Sequence, residues 1–148
     1  MIVTFCGHSD FEKNDNFESM VLKILEENTK NKNVEFYLGG YGAFDSFAYD
    51  CCKKFQKLHP NSTLIYISPY LTVKHQINEL NYQNQLYDES IYPELENISP
   101  RLAILYRNKY MVDKADFIIA YIKRDWGGAF KTYRYAQQKH KTIYNIVK

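Results

Sequence analysis

Apolar residues fall along this chain in short unbroken runs, and the stretches between the runs have helical spacing. Five runs predict strands, at Ile2–Cys6, Val34–Leu38, Ser62–Ser68, Asp116–Ile122 and Thr142–Val147. Because apolar and polar residues do not alternate within them, these runs are typical of strands that are buried on both faces of a parallel sheet.

Between the runs, apolar residues recur every three or four positions, as they do on the buried face of a helix. This spacing predicts a helix over Asp15–Thr29, a second helix after the second strand and a last one after "WGG". Another is predicted from Pro100 to about Lys114, because Ser99 is a good N-cap and proline is favoured at the first helical position. The apolar face of the second helix comprises Phe44, Phe47, Ala48, Cys51, Phe55 and Leu58.

The alternation of strands and helices predicts an α/β fold, with a doubly wound parallel sheet of five strands and helices on both faces. A chain of 148 residues suits a single domain over residues 1–148. Residues 70–99 interrupt the alternation with a polar, tyrosine-bearing segment that includes a short predicted helix near Val73–Leu80. A segment of this length is typical of a lid or a binding loop.

Three loops, two of them rich in glycine, are expected to meet at one edge of this sheet. If the first strand lies between the second and the fourth, "CGHSD", "GGYGAFDS" and "KRDWGGAFKT" converge beyond the carboxyl ends of the strands, where ligands bind in doubly wound sheets. Each loop leads into a helix, whose free N–H groups and dipole attract anions. Alternatively the glycines only allow tight turns, since neither glycine-rich loop matches GxGxxG or a P-loop. The loop residues predicted to bind a ligand are Gly7, His8, Ser9, Gly39, Gly40, Gly42, Asp45, Ser46, Gly127, Gly128, Lys131 and Thr132.

Composition narrows the range of partners and compartments. The formal net charge is +2, from 19 basic and 17 acidic residues, which argues against a duplex-DNA binder, so nucleic acid is not expected as a partner. Three cysteines without disulfide or zinc spacing indicate a reduced, cytoplasmic compartment. The four histidines are scattered, and neither a metal nor a cofactor is expected. No apolar run approaches the ~20 residues of a membrane-spanning helix, so no membrane association is expected.

Four segments of the chain resemble the SLOG superfamily, the Rossmann-like group that includes LOG-type nucleotide phosphoribohydrolases and DNA-processing proteins. "FCGHS" is similar to the first-strand motif FCGSS, and "LGGYGAFDSFA" stands where the LOG group has a glycine-rich turn. "RNKYMVDKADFIIA" resembles the segment R-x-x-x-M followed by S-D and an apolar strand, which places Arg107 on the substrate-binding arginine and Met111 on the methionine. "WGGAFKT" stands in place of the PGGxGTxxE loop.

The resemblance covers nearly the whole chain and implies a Rossmann-like fold, nucleotide binding and a homodimer. The long segment after the third strand is similar to bacterial and phage branches of the superfamily outside the LOG enzymes. Trp126 replaces the proline of the LOG loop, and Tyr135 or Ala136 occupies the position of its catalytic glutamate. Since neither residue is a carboxylate, the resemblance implies binding more than hydrolysis, and Asp45 is the catalytic candidate if the protein is an enzyme.

Arg107 and Asp45 each admit two interpretations. Arg107 shares a helical stripe with Ile104 and Met111, and a buried guanidinium needs a partner. That partner is either a ligand phosphate, which the resemblance favours, or an internal carboxylate such as Asp45 or Asp10. Asp45, in the first turn of a helix, either complements the helix dipole or accepts a hydrogen bond from a ribose hydroxyl.

Other side chains near the loops also admit two interpretations. His8 has either a hydrogen-bonded structural role or a catalytic one. Lys123 and Arg124 either add a positive field at the rim of the site or form a solvated charge run. Trp126, the only tryptophan, either stacks on a base or packs on the lid segment.

Three functions follow as hypotheses. The first is a module that senses or sequesters a nucleotide or a nucleotide-derived ligand. The second is an enzyme that hydrolyses or transfers an N-glycosidic bond of a nucleotide, which needs a carboxylate near the anomeric carbon. The third is a single-stranded nucleic-acid binder that stacks bases on tyrosine, and the near-neutral charge argues against it.

Overall fold

The computed structural model describes residues 1–69 and 86–147, and a parallel sheet forms the centre of this part of the chain. The order of the strands is the fourth, third, second, first, fifth and sixth, and every neighbouring pair is parallel. The predicted α/β class is confirmed. The strands are β1 (Ile2–Gly7), β2 (Val34–Leu38), β3 (Ser62–Ile67), β4 (Glu89–Ile91), β5 (Phe117–Tyr121) and β6 (Thr142–Asn145).

The prediction of five strands is corrected by β4, which lies in the segment predicted to be irregular. It has only three residues, and it pairs with β3 through Ile65 and Glu89. Two of its residues, Glu89 and Ser90, are exposed at the edge of the sheet. A strand so short and polar produces no apolar run, so the hydrophobic pattern did not reveal it.

Four helices connect the described strands, close to their predicted bounds. The predicted helix near Val73–Leu80 and much of the predicted lid lie outside the described residues. None of the helices in residues 1–69 and 86–147 is long and apolar enough to cross a membrane. The helices are α1 (Asp15–Thr29), α2 (Ala43–Leu58), α3 (Pro100–Lys114) and α4 (Gly128–Gln138).

Side chains of successive strand residues enter cores on opposite faces of the sheet. In β5, Phe117 and Ile119 pack into the core that α1 and α2 cover, with Val21 and Phe44 among its members. Ile118 and its neighbours on the other face pack against residues from the end of α3 and from α4. Because successive side chains of a strand point to opposite faces, an uninterrupted apolar run is what a sheet covered on both sides requires.

Leu58 departs from the predicted buried face of α2. The other members of that face are buried, whereas Leu58 is 75% exposed. It is the last residue of α2, and the next residue, His59, places its ring on Phe55 at 4.2 Å between centroids. The histidine ring therefore covers this end of the helix. The apolar face predicted from the periodicity includes one residue too many.

The winding of the sheet reverses beside β1. The chain adds β2, β3 and β4 in turn on one side of β1 and then adds β5 and β6 on the other side. The prediction that the first strand lies between the second and the fourth predicted strands is confirmed, because β5 is that fourth strand. The carboxyl ends of β1 and β5 form the topological switch point, where ligands bind in sheets of this kind.

Candidate functional site

A cavity of about 430 Å³ lies at this switch point. Its walls come from the end of β1 and the loop after it, the first turn of α2, the middle of α3, and the loop that enters α4. The structure therefore brings together residues that are more than a hundred positions apart in the chain. The predicted site residues that line the cavity are Gly7, His8, Ser9, Asp45, Arg107, Gly127, Gly128 and Thr132.

Five predicted site residues do not line this cavity. Gly40 and Ser46 line a neighbouring cavity of about 280 Å³, which also includes Asp45. Lys131 is exposed on the first turn of α4. Gly39 and Gly42 serve close packing instead, as described next.

The glycines of the β2–α2 loop allow other parts of the chain to approach closely. A Cβ at Gly39 would lie 3.0 Å from the guanidinium carbon of Arg107. A Cβ at Gly42 would lie 2.9 Å from the Cα and Cβ atoms of Ser9, and the φ of Gly42 is +91°, which favours glycine. Only the second glycine-rich loop, which enters α4, contributes its own glycines to the wall of the cavity.

Arg107 connects α3 to the carboxyl ends of two strands. Its side chain is 2% exposed, and one terminal nitrogen donates to the carbonyl oxygens of Gly39, at 2.9 Å, and Ile67, at 2.8 Å. Its Nε donates to Oδ1 of Asn108 at 2.9 Å. Backbone carbonyls thus satisfy much of this guanidinium, a partner that neither of the two interpretations from the sequence had named. Its side chain still lines the cavity.

Asp45 places a carboxyl group in the same cavity. One carboxyl oxygen accepts the backbone N–H of Tyr41 at 2.9 Å. Burial raises the pKa of Asp45 from 3.8 to about 6, although the Tyr41 N–H and the charge of Arg107 both oppose the shift. The carboxyl group therefore exchanges its proton close to neutral pH, which allows it to accept or donate a hydrogen bond to a ligand hydroxyl.

His8 holds two loops together at the edge of the cavity. Its Nε2 accepts the backbone N–H of Lys123 at 3.1 Å, which joins the loop after β1 to the loop after β5. Burial and the nearby charge of Arg124 lower the pKa of His8 below its ordinary value. The ring is therefore neutral at physiological pH, with its proton on Nδ1.

The loop that enters α4 presents an open helix N-terminus to the cavity. Gly127 has a φ of +94°, and the first turn of α4 has no acidic residue and no side-chain cap. A Cβ at either Gly127 or Gly128 would meet nothing within 4 Å. The backbone N–H groups at the start of α4 are therefore accessible from the cavity, and the helix dipole makes this position favourable for an anion.

Arg124 lines the cavity, and its arrangement was missed in the sequence, which left it as either a rim charge or a solvated run. One terminal nitrogen lies 3.2 Å from both carboxyl oxygens of Asp10, and the guanidinium lies 4.2 Å from the centre of the Trp126 ring. Its Nε is buried and has no hydrogen-bond partner among residues 1–69 and 86–147. The basic and aromatic residues before "GG" were the available signal, but their partner Asp10 comes from a distant loop.

Three other residues of the wall were not among the predicted site residues. Tyr41 and Trp126 line the cavity while remaining largely exposed. Cys6 lines it as well, and burial raises the pKa of its thiol to about 12, so the thiol stays protonated and unreactive. An aromatic residue within each glycine-rich loop was the visible signal for the first two.

Comparison with known proteins provides structural neighbours only. No protein-family model and no curated protein matches the chain. DNA processing protein A from Helicobacter pylori, in a study of its single-stranded DNA binding mode, matches with a TM-score of 0.61 at 17% identity. DNA processing protein A from Streptococcus pneumoniae matches with a TM-score of 0.65 at 14% identity, and the structural-genomics protein TM1055 with 0.58 at 12%.

The chain has the Rossmann-like fold of these structural neighbours. The three alignments cover 100%, 99% and 96% of this chain. They cover 66% of the Helicobacter protein, 50% of the Streptococcus protein and 71% of TM1055. The chain therefore spans between half and two thirds of the length of the two DNA processing proteins. The alignments show a shared fold, and membership of the SLOG superfamily and of a branch within it stays a prediction.

The expectation that nucleic acid is not a partner is wrong. It rested on the net charge, yet a structural neighbour of this chain is described by its binding of single-stranded DNA. The physical reason is that a net charge sums the whole surface, whereas binding depends on the local field of one cleft. The switch-point cavity has two arginines in its wall, although the whole chain carries a formal charge of only +2.

Proposed function

We propose that this protein binds a nucleotide or a nucleotide-derived ligand in the switch-point cavity. The observation that carries the proposal is the open N-terminus of α4, which faces a cavity that Arg107 and Arg124 also line. A phosphate group would accept hydrogen bonds from the backbone N–H groups after Gly127. The guanidinium of Arg124, which lines the cavity, would be a further donor for it.

The charges around the cavity support an anionic ligand. Asp10, the acidic residue closest to Arg124 in the loop after β1, is already paired with that arginine. The helix dipole of α4 adds positive potential at the same wall. The volume of about 430 Å³ falls within the range of about 300–1,000 Å³ that is common for small-molecule sites. A phosphorylated ligand of the size of a mononucleotide suits both the charge and the volume.

Binding without hydrolysis is the better supported form of this function. At the positions where the LOG glutamate would fall, the hydroxyl of Tyr135 donates to Asp113 at 2.7 Å and Ala136 is buried in the core. Among the residues that line the cavity, Asp45 is the one with a carboxyl group. Its proposed role is to bind a ribose hydroxyl, and an N-glycosidic reaction at this site would have to use it as the acid.

A thermal-shift assay combined with a measurement of free-base release tests this proposal. The probes are the four nucleoside monophosphates, cyclic mononucleotides and ADP-ribose. At a ligand concentration about a hundredfold above Kd, stabilisation of about 2.7 kcal/mol is expected, which corresponds to a rise in Tm of about 5 to 10 °C. Release of base that Asp45→Asn abolishes would establish the enzyme instead, and no shift with any probe would refute the binding function.

A pair of leucine variants locates the site. Gly128→Leu fills the cavity from a position where a Cβ meets nothing, so the free protein should keep its Tm while the ligand-induced shift disappears. Gln137→Leu adds the same side chain at an exposed position near the end of α4 and should leave the shift unchanged. Equal shifts in both variants would place the ligand elsewhere.

A second candidate function is the binding of single-stranded nucleic acid, which the structural likeness to the DNA processing proteins favours. A strand would enter the same cavity through one of its nucleotides. Anisotropy of a labelled oligothymidylate would measure this binding, with Gly128→Leu and Gln137→Leu as the matched variants. Binding that both variants retain equally would exclude this cavity as the strand site.

A further inference from the structure

We propose that Tyr41 and Trp126 form a stacking platform for the nucleobase at the mouth of the cavity. The inference rests on the proposed function, because it assigns the place of the base in a ligand whose phosphate lies at α4. Both rings line the cavity, and they belong to different loops, one entering α2 and the other entering α4. A ligand held in the cavity is therefore flanked by an aromatic side chain from each loop.

The exposure of these two rings is unusual for this chain. Tyr41 is 64% exposed and Trp126 is 63% exposed, whereas most of the described aromatic residues are buried or half-buried. Among the described residues, the other large apolar side chains with high exposure are Leu58, Leu102 and Tyr106, and none of them lines the cavity. Large aromatic rings favour burial, so a pair of them exposed at the mouth of one cavity indicates a surface that a ligand covers.

One face of the Trp126 ring is already covered in the absence of a ligand. The guanidinium of Arg124 lies 4.2 Å from the centre of the ring and is itself held by Asp10. A cation over one face of an indole leaves the opposite face for an incoming base. Because the side chain of Arg124 also lines the cavity, its guanidinium can contact the phosphate and support the ring on which the base stacks.

Tyr41 is held through its backbone and not through its ring. Its N–H donates to Asp45 at 2.9 Å, and it lies between Gly40 and Gly42. In the described part of the chain its ring makes no aromatic contact and its hydroxyl makes no hydrogen bond. Asp45 therefore links the two parts of the site, because it anchors the backbone of Tyr41 and points its carboxyl group into the cavity.

The chemistry of such a platform defines the class of ligand. Every nucleobase has a flat aromatic face, so stacking binds all of them and discriminates weakly between them. The ligand is thus a nucleoside phosphate unit, recognised by its phosphate and by the presence of a base. A free mononucleotide and one nucleotide of a single strand offer this same unit.

Trp126 is the only tryptophan, so emission excited at a wavelength where tyrosine does not absorb reports on this residue of the platform alone. We expect adenosine 5′-monophosphate to quench this fluorescence, and ribose 5-phosphate, which lacks the base, to bind without quenching.

Calorimetry should show that Tyr41→Ala and Trp126→Leu each weaken the binding of adenosine 5′-monophosphate about ten- to a hundredfold. Neither change should affect the affinity for ribose 5-phosphate or the Tm of the free protein. Tyr106→Ala, which removes an exposed ring away from the cavity, is the control and should change nothing.

The outcomes separate this inference from the function on which it rests. Equal affinities for the two probes without quenching would overturn the platform and leave phosphate binding in place. If neither probe binds, both the proposed function and the platform are refuted. Replacing adenosine 5′-monophosphate by oligothymidylate and by an abasic oligonucleotide shows whether the natural ligand is a free nucleotide or one nucleotide of a single strand. Tighter binding of oligothymidylate identifies a strand, whereas binding of the monophosphate alone identifies a free nucleotide, and both support the platform.

Discussion

Asp45 has a carboxyl group that lies at the boundary of two cavities. It lines both the switch-point cavity and the smaller one beside Tyr49 and Tyr87. Burial raises its pKa to about 6, so the folded protein binds this proton more tightly than the unfolded chain does. Because the folded state binds more protons between pH 4 and 6, the stability that this group contributes is largest below about pH 4 and is lost as the pH rises through about 6.

Asp45→Asn should therefore stabilise the protein at pH 8 and have little effect near pH 4. A shift of about two pKa units corresponds to at most about 3 kcal/mol, and we expect about 1 to 3 kcal/mol because solvent screens part of the interaction. Urea unfolding at several pH values measures the difference between variant and parent. Asp50→Asn, at an exposed position on the same helix, is the control, and an equal pH profile for the two variants would contradict the assignment.

Arg107 should matter for stability whether or not a ligand binds. Arg107→Ala leaves the carbonyl oxygens of Gly39 and Ile67 without their donor and creates a void, and it should cost about 2 to 4 kcal/mol. Arg134→Ala removes the same charge from an exposed position of α4 and should cost less than about 0.5 kcal/mol. Denaturant unfolding compares the two, and equal costs would show that the contacts of Arg107 do not stabilise the fold.

At the scale of elements, close packing of β1 on α2 sets the floor of the site. A Cβ at Gly7, the last residue of β1, would lie 2.3 Å from the ring of Phe44, which is fully buried. Gly128, at the start of α4, faces open space. Both glycines lie near the cavity, yet Gly7 permits a helix to pack on a strand and Gly128 leaves the cavity open.

A matched pair of alanine variants tests this difference. Gly7→Ala should destabilise the protein by about 1 to 3 kcal/mol, because the overlap forces Phe44 to move within a packed core. Gly128→Ala should lie within about 0.5 kcal/mol of the parent or be slightly more stable, since alanine favours a helix. Both are read from the denaturant midpoint, and a larger loss for Gly128→Ala would contradict the packing described.

The elements of this fold were predictable from the sequence to different degrees. The buried strands were predicted because a sheet covered on both faces needs continuous apolar runs, and the helices because their apolar residues repeat with helical spacing. The short polar strand β4 carries neither signal. Within the site, the convergence of the loops was predicted. Which of their glycines line the cavity and which allow close packing was not predicted. Whether a glycine lines a cavity or admits a neighbour such as Ser9 or Arg107 depends on contacts between distant segments.

At the scale of the whole molecule, a small net charge coexists with a cavity suited to anions. The expectation about nucleic acid failed because it used the sum of all charges, while two arginines and one helix dipole determine the field in the cavity. The predicted homodimer and the single domain stay predictions. Light scattering of the purified chain would test the first, and limited proteolysis would test the second.

The charge distribution also predicts a weak salt dependence for oligonucleotide binding at this site. One or two phosphates near Arg124 and Arg107 should give a slope of log K against log salt between about −0.7 and −1.4. Titrations of oligothymidylate at several salt concentrations measure this slope. A slope steeper than about −3 would require contacts to more than about four phosphates and would contradict binding of the strand at this cavity alone.

The bonds of Arg107 have a kinetic consequence for this wall of the site. One nitrogen joins the ends of β2 and β3, so those two ends cannot separate without breaking at least one of its two hydrogen bonds. This wall is therefore assembled before a guest molecule enters, and little ordering there remains to be done on complex formation. If the ligand binds at this wall alone, the observed association rate should be limited by collisions. It should rise in proportion to the ligand concentration without reaching a plateau.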